Sequence, residues 1–268
     1  MTRDRNRDLL DSSAILRRLG QSIFTRNIVF HKSLDSTNNL AKELASSGAP
    51  EGTIVLAEEQ TQGRGRMGRQ WFSPGYVNLL FSILLRPTIH PDQIFVLTMI
   101  MALATIEATR EISGLSPLIK WPNDLYVGRR KLAGILTEFS HGKTGIEHAI
   151  LGLGLNVNWI PEDEKEFSNP VTSILKETGL EVSRNDLLSG ILKLFEEYYH
   201  DVLVGRFDHF YRRWNDLSLI MGREVEVELA KEKVYGKAIR IDPNGALVIR
   251  DRRGEEQKIF SGDITVKF

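Results

Sequence analysis

Apolar positions along this chain change period several times, and each change marks an element. Leu9, Leu10, Ile15, Leu16 and Leu19 fall at helical spacing ahead of about Arg26, which predicts one short amphipathic helix and a linker. From Ile28 the pattern alternates. Residues 28–31 and 53–57 read as strands on either side of a helix over 36–45 that stops near Gly48. Residues 78–85 read as a buried strand ended by Pro87, and 91–112 as a mostly buried helix. Strands are then expected at 118–121, 125–127, 133–138 and 146–157, and helices at 184–203 and 207–217. Beyond Gly222 come short strands at 224–229, 234–241, 246–250, 257–260 and 264–268, with turns at Pro243-Asn244-Gly245 and Arg253-Gly254. That spacing suggests a small β-barrel or sandwich. The chain divides into a helix and linker (1–26), a main domain (27–220) and a small carboxyl-terminal barrel (221–268). The expected class is α+β, with one mixed or antiparallel sheet backed by helices.

Composition narrows the function. With 268 residues and 41% hydrophobic content, the chain can bury a sizeable core. Its 35 basic and 35 acidic residues cancel, so any basic site must be local and no global field draws nucleic acid or anionic membrane. Zero cysteines excludes disulfides, thiolate zinc sites and a covalent thioester, and is compatible with a reducing compartment. The first eight residues are polar and lack the apolar core of a signal peptide, so a cytoplasmic protein is expected. The most apolar stretch, 94–106, is too short and too interrupted to span a bilayer.

The chemistry concentrates in Gly63-Arg64-Gly65-Arg66-Met67-Gly68-Arg69-Gln70-Trp71. Three glycines let the backbone approach a ligand closely, and three guanidinium groups offer forked donors for phosphate or carboxylate. Gly63, Gly65 and Gly68 fit the letters of the dinucleotide fingerprint. Its structural requirement fails, because the chain continues into the turn Ser73-Pro74-Gly75 instead of a helix. A Walker A loop fails too, since Arg69-Gln70 stands where Lys-Ser or Lys-Thr is required. What remains is a movable cationic clamp.

Four further segments have both a structural and a functional reading. In Asp35-Ser36-Thr37-Asn38-Asn39, Ser36 can simply cap the next helix, or its hydroxyl and neighbouring amides can bind a polar head group. In Lys120-Trp121-Pro122-Asn123-Asp124, the lysine is either a solvated strand end or a fixed charge aimed at a ligand. Gly134, in the strand pattern after Lys131, implies a bulge or a close approach. Gly152 and Gly154, on one face of the strand leading to Asn156, serve either helix packing or a ligand lying flat. Gln60 is an isolated amide just before the arginine loop.

Together the arginine loop, Lys120-Trp121-Pro122-Asn123-Asp124, Lys131-Leu132-Ala133-Gly134-Ile135-Leu136 and Gly152-Leu153-Gly154-Leu155-Asn156 resemble, in order and rough spacing, the biotin protein ligases. The resemblance runs from about Asp35 to Leu247. It implies a catalytic domain similar to class II synthetases, with a small barrel after it. It implies that biotin and ATP combine as biotinyl-5′-adenylate and that the biotinyl group passes to a lysine of the biotin carboxyl carrier domain of a carboxylase. Mg²⁺ would accompany the triphosphate. By the family's pattern, Arg64, Arg66, Arg69 and Lys120 act at the meeting of carboxylate and α-phosphate, with Asp124 as the candidate base. Ser36, Thr37, Gln60, Gly63, Gly134, Gly152 and Gly154 would join Arg64, Arg66 and Lys120 around biotin. Trp71, Asn123, Lys131, Asn156 and Arg240, with Arg66 and Arg69, would contact the nucleotide. The chain begins too close to the ligase core for the DNA-binding module that many members carry, so neither DNA nor membrane binding is expected. A homodimer is in keeping with the family. The alternatives are a lipoate or octanoate ligase or transferase of the same fold, or a non-catalytic biotin sensor.

Overall fold

The computed structural model describes residues 8–25, 27–143, 145–161, 170–229, 232–260 and 262–266. The amino-terminal segment 1–7 and the last two residues, the end of the final expected strand, lie outside them. After helix α1 (Ser12–Leu19), the main domain runs β1 (Ile28–Leu34), α2 (Thr37–Ser46), β2 (Ile54–Gln60) and β3 (Leu79–Leu85). It continues through α3 (Phe95–Ser113), β4 (Leu118–Lys120), β5 (Asp124–Val127), β6 (Arg130–His141) and β7 (Ile146–Leu155). Helices α4 (Ile174–Thr178), α5 (Arg184–Leu203) and α6 (Asp208–Asp216) follow. The seven strands form one sheet in the order β1-β2-β3-β7-β6-β5-β4, parallel only at β1·β2. The expected mixed sheet is therefore present.

Its two faces are unequal. Ile54, Leu56, Phe81, Ile83, Leu151 and Leu153 point to one side, into a core with α3 and α5. Helix α3 is apolar around its circumference because the sheet and α5 cover it, and its buried residues include Met99, Ile100, Leu103 and Ile106. Gly114, left-handed at φ 73°, ends it by donating its N–H to Arg110. On the other face, α2 covers only one end, packing Ala41 and Ala45 on Val55, Leu84 and Ile150. The rest of that face is left open for the site. Helix α2 also corrects one expectation. Ser36 is extended and its side chain makes no capping bond; instead Gln60 Oε1, from the end of β2, accepts the Thr37 amide at 2.7 Å.

The carboxyl-terminal strands β8 (Glu224–Glu228), β9 (Lys233–Ile241), β10 (Leu247–Arg250), β11 (Glu256–Ile259) and β12 (Asp263–Val266) form an antiparallel sheet ordered β11-β10-β9-β8-β12. Among the described residues β11 and β12 do not pair, so the sheet is open where a closed barrel was expected. It is seated firmly on the main domain. Trp121 Nε1 donates to Gly245 O at 2.9 Å and the Tyr211 hydroxyl to Pro243 O at 2.6 Å. A side chain at Gly245, at φ 81°, would collide with the Phe95 ring.

One buried ion network ties the start of the described chain to the sheet. Arg184, with a fully buried side chain at the head of α5, donates to Glu58 Oε2 at 2.6 Å, to Asn78 O at 3.0 Å and to Asp8 Oδ2 at 2.9 Å. Glu58, equally buried, also accepts the Leu10 amide at 2.8 Å.

Candidate active site

Sheet register creates the floor. Gly154 lies opposite Leu80 and Gly134, Gly152 opposite Ser82 and Leu136, and Asp124 opposite Gly134, so these residues share the face that α2 leaves uncovered. The missing side chains open a cavity of about 660 Å³. The glycines divide their roles. A Cβ at Gly154 would lie 2.5 Å from the Trp71 ring, whereas one at Gly134 would lie 3.1 Å from it. Gly152 instead receives the Asn38 side chain of α2, so at this position the helix-packing reading holds. Gly154→Ala is therefore expected to push the indole off the floor and to weaken ligand binding by roughly 5- to 150-fold, since overpacking costs about 1–3 kcal/mol. Gly134→Ala should be milder. Titration of the two variants with ligand, followed by tryptophan fluorescence, checks the order.

Over this floor the arginine loop closes as a hairpin. Gly65 N–H donates to Arg69 O at 2.7 Å and Trp71 N–H to Gly63 O at 2.9 Å, with Arg64 and Gln70 bridged. Its tip holds two consecutive residues at positive φ, Met67 at 56° and Gly68 at 73°, the geometry of a tight hairpin turn. Gly63 is required by contact: a Cβ there would meet Trp71 O at 2.5 Å. Arg69 N–H closes the tip turn on Arg66 O at 3.2 Å, and Arg69 itself is extended. The rejection of the dinucleotide fingerprint stands, because no α-helix opens behind its last glycine.

The cavity has a cationic end and a neutral end. Among the described residues its lining contains Arg64, Arg66, Arg69, Lys120 and Lys131 against one carboxylate, Asp124. Lys131 Nζ is 2.8 Å from Asp124 Oδ1 and 5.4 Å from the centre of the Trp71 ring. Lys120 Nζ lies 5.0 Å over the Tyr126 ring. Burial lowers its pKa below the usual lysine value; Asp124 opposes this, and Lys131 and Arg69 add to it. Burial likewise lowers the pKa of Arg66, with Asp124 opposing and Arg69 adding. Its guanidinium is 3.4 Å from Asn123 Oδ1, and the Asn123 amide donates to Ile135 O at 2.6 Å. Partly desolvated cations crowded together are a preformed anion site, since an incoming anion removes their repulsion.

At the neutral end, Gln60 Oε1 accepts from the Thr37 hydroxyl at 3.0 Å. Ser82 Oγ lies 2.7 Å from Thr37 Oγ1 and 2.6 Å from Asn38 Oδ1, and Asn38 Nδ2 donates to Glu138 at 2.8 Å. Ser36, Thr37 and Gln60 thus come together as expected. Ser82, Asn38 and Glu138 were not among the candidates; the one hydroxyl in the apolar run of β3 was the readable trace of Ser82. Asn156 lines the floor, donating Nδ2 to Thr172 O at 2.9 Å. Among the described residues its Oδ1 and Trp71 Nε1 are buried polar atoms with no hydrogen-bond partner, and both residues line the cavity. Such atoms cost about 1–3 kcal/mol each unless a ligand or solvent meets them. Arg240 is placed elsewhere. It lies on β9, 2.9 Å from Glu256, and does not line the cavity; Gly262, Ile264 and Thr265 supply the contact from the carboxyl-terminal sheet.

The family model for the biotin/lipoate A/B protein ligase family matches residues 30–156, and that for the biotin protein ligase C terminal domain matches 220–267. The bifunctional ligase/repressor BirA of Bacillus subtilis (strain 168) is 35% identical over 256 residues, covering 95% of this chain and 78% of that protein. The biotin--[acetyl-CoA-carboxylase] ligase of Mycobacterium tuberculosis is 31% identical over 271 residues, covering 98% and 97% of the two chains. Among solved structures, the biotin protein ligase from Aquifex aeolicus in complex with biotin and ATP superposes with a TM-score of 0.77 at 31% identity. It covers 90% of this chain and 99% of that one.

Proposed function

Because the chain belongs to the biotin/lipoate A/B protein ligase family, we propose that its cavity carries out the two steps of a biotin protein ligase. In the first, a carboxylate oxygen of biotin attacks the α-phosphorus of ATP, the bond to the bridging oxygen breaks and pyrophosphate leaves. In the second, a carrier-domain lysine attacks the acyl carbon, AMP leaves, and the lysine's proton passes by way of Asp124 to solvent. The observation that carries the reading is the gathering, among the described residues, of Arg66, Arg69, Lys120 and Lys131 around Asp124 above a glycine floor.

Bringing carboxylate and α-phosphate together at ~4 Å costs about 4 kcal/mol at an effective dielectric near 20. Lys120, Arg66 and Arg69 offset that repulsion where it arises and stabilise charge as it moves toward the leaving group. The closed hairpin keeps water from a mixed anhydride that would otherwise hydrolyse. Asp124, held by Lys131, orients the cations and is the candidate base for the incoming lysine. Thr37, Gln60 and Ser36 suit the ureido ring, whose N–H and C=O groups need neutral partners of both kinds. Trp71 and Asn156, each with an unpartnered polar atom, suit the nucleotide. Magnesium belongs to the triphosphate as substrate. Among the described residues no cluster of three His, Cys, Asp or Glu forms a cage, and Asp124 is the carboxylate at hand. A reducing cytoplasm and a homodimer remain part of this proposal, supported by zero cysteines and by the family resemblance respectively.

The protein, given ATP, magnesium, biotin and a carboxylase carrier domain, is expected to attach biotin to one carrier lysine. Mass spectrometry of the carrier checks this. Octanoyl or lipoyl attachment in place of biotin would favour the lipoate branch of the family, and no attachment at all would favour a sensor.

A further inference from the structure

Arg64 faces a different part of the site from the other cations. The charges acting on Lys120 are Asp124, Lys131 and Arg69, whereas those acting on Glu138 are Lys42 and Arg64. Arg64 Nη1 donates to Asn39 Oδ1 at 2.7 Å, and its Nη2 is 3.6 Å from Glu138 Oε1. Asn39 is itself fixed, donating to Asp35 at 2.5 Å. Glu138, on the stretch of β6 beyond its pairing with β5, also accepts from Lys42 at 2.5 Å and from Asn38 at 2.8 Å. One carboxylate therefore joins the loop to both α2 and the sheet.

We propose that Glu138 is a positioning residue that latches the lid: it holds Arg64 in the closed hairpin and, through Asn38 and Lys42, fixes the start of α2 to the same point. The inference rests on the reading of the cavity as an acyl-adenylate site. The geometry suits a contact that must open each turnover. Asn38 and Lys42 bond Glu138 directly and are permanent parts of the frame, while Arg64 at 3.6 Å interacts by charge alone. Gly63 and Gly65 flank Arg64, so the backbone on both sides of the latch can turn. Loss of head-group order and loss of lid closure are coupled through this carboxylate.

The test is a double-mutant cycle of Glu138→Gln, Arg64→Gln and the pair. Protein loaded with adenylate labelled in the α-phosphate is chased with unlabelled ATP and biotin, and release of label is timed. Each single variant is expected to speed release roughly fivefold, the upper range for a partly exposed ion pair. The double variant should release no faster than the singles, and Arg64→Lys should restore slow release. Release should change more than the kcat of adenylation does. Should Glu138→Gln fail to fold, Arg64→Gln, in an exposed loop position, and its lysine rescue carry the test. Unchanged release in Arg64→Gln, or single effects that multiply in the double variant, would overturn the latch. Failure of the broader reading would appear differently, as no labelled adenylate on the unaltered protein.

Discussion

Lys120→Ala is expected to lower the rate of adenylate formation by about 10²–10³-fold, the usual effect of removing one preorganised charge donor from a reaction centre. The ammonium is partly desolvated and faces like charges from Lys131 and Arg69, so the folded protein holds it at a cost. Removing it relieves that cost. The melting temperature should hold or rise slightly while activity collapses, the signature of a residue kept for function at the expense of stability. The loss should fall on kcat more than on the KM for biotin, because the charge matters most when the carboxylate meets the α-phosphate. Rapid-quench kinetics beside thermal melting separates the effects. Adenylation at the normal rate in this variant would remove Lys120 from the mechanism.

Arg184→Met is expected to produce the largest loss of stability. It would leave Glu58 buried without its cationic partner, and breaking a buried pair from one side costs roughly 3–5 kcal/mol. For a protein of this size that is a fall of roughly 10 °C in melting temperature. The variant also releases Asp8 and the Asn78 carbonyl from Arg184, loosening the start of the described chain from the sheet. Replacing Arg184 and Glu58 together by apolar residues should cost much less than the single change, because no fully buried charge is then stranded and Asp8, the other partner, is partly exposed to solvent. Chemical denaturation of the three variants measures this. Equal losses in the single and double variants would show that packing, and not the unpaired charge, dominates.

Local signals carried most of the fold. Strand and helix periods placed the long elements within a few residues, since burial on one face forces alternation in strands and a stripe in helices. The five-residue α4 escaped because so short a helix leaves no period. In the site, the residues written as contiguous motifs were recovered: the arginine hairpin, Lys120 through Asp124, and the strand glycines all meet at one cavity. Ser82, Asn38 and Glu138 are instead joined by register, which places β3 beside β7, a strand far along the chain, and sets α2 over both. No local pattern encodes that meeting. Arg240 went astray for a related reason. It pairs with Val248 beside a register shift in which Ile239 of β9 is the extra residue, and such a bulge resets which side chains face the site. The Ser36 cap was a reasonable local reading that a partner from another strand, Gln60, displaced.

The central act proposed for the cavity is making an acyl-adenylate from biotin. Protein mixed with magnesium, ATP labelled in its α-phosphate and either biotin or lipoate, then acid-quenched and chromatographed, tests this most directly. With biotin, label is predicted to co-migrate with biotinyl-5′-adenylate in a one-to-one amount with protein, and with lipoate no acyl-adenylate should form. Label appearing only with lipoate, or no acyl-adenylate from either acid, would contradict it.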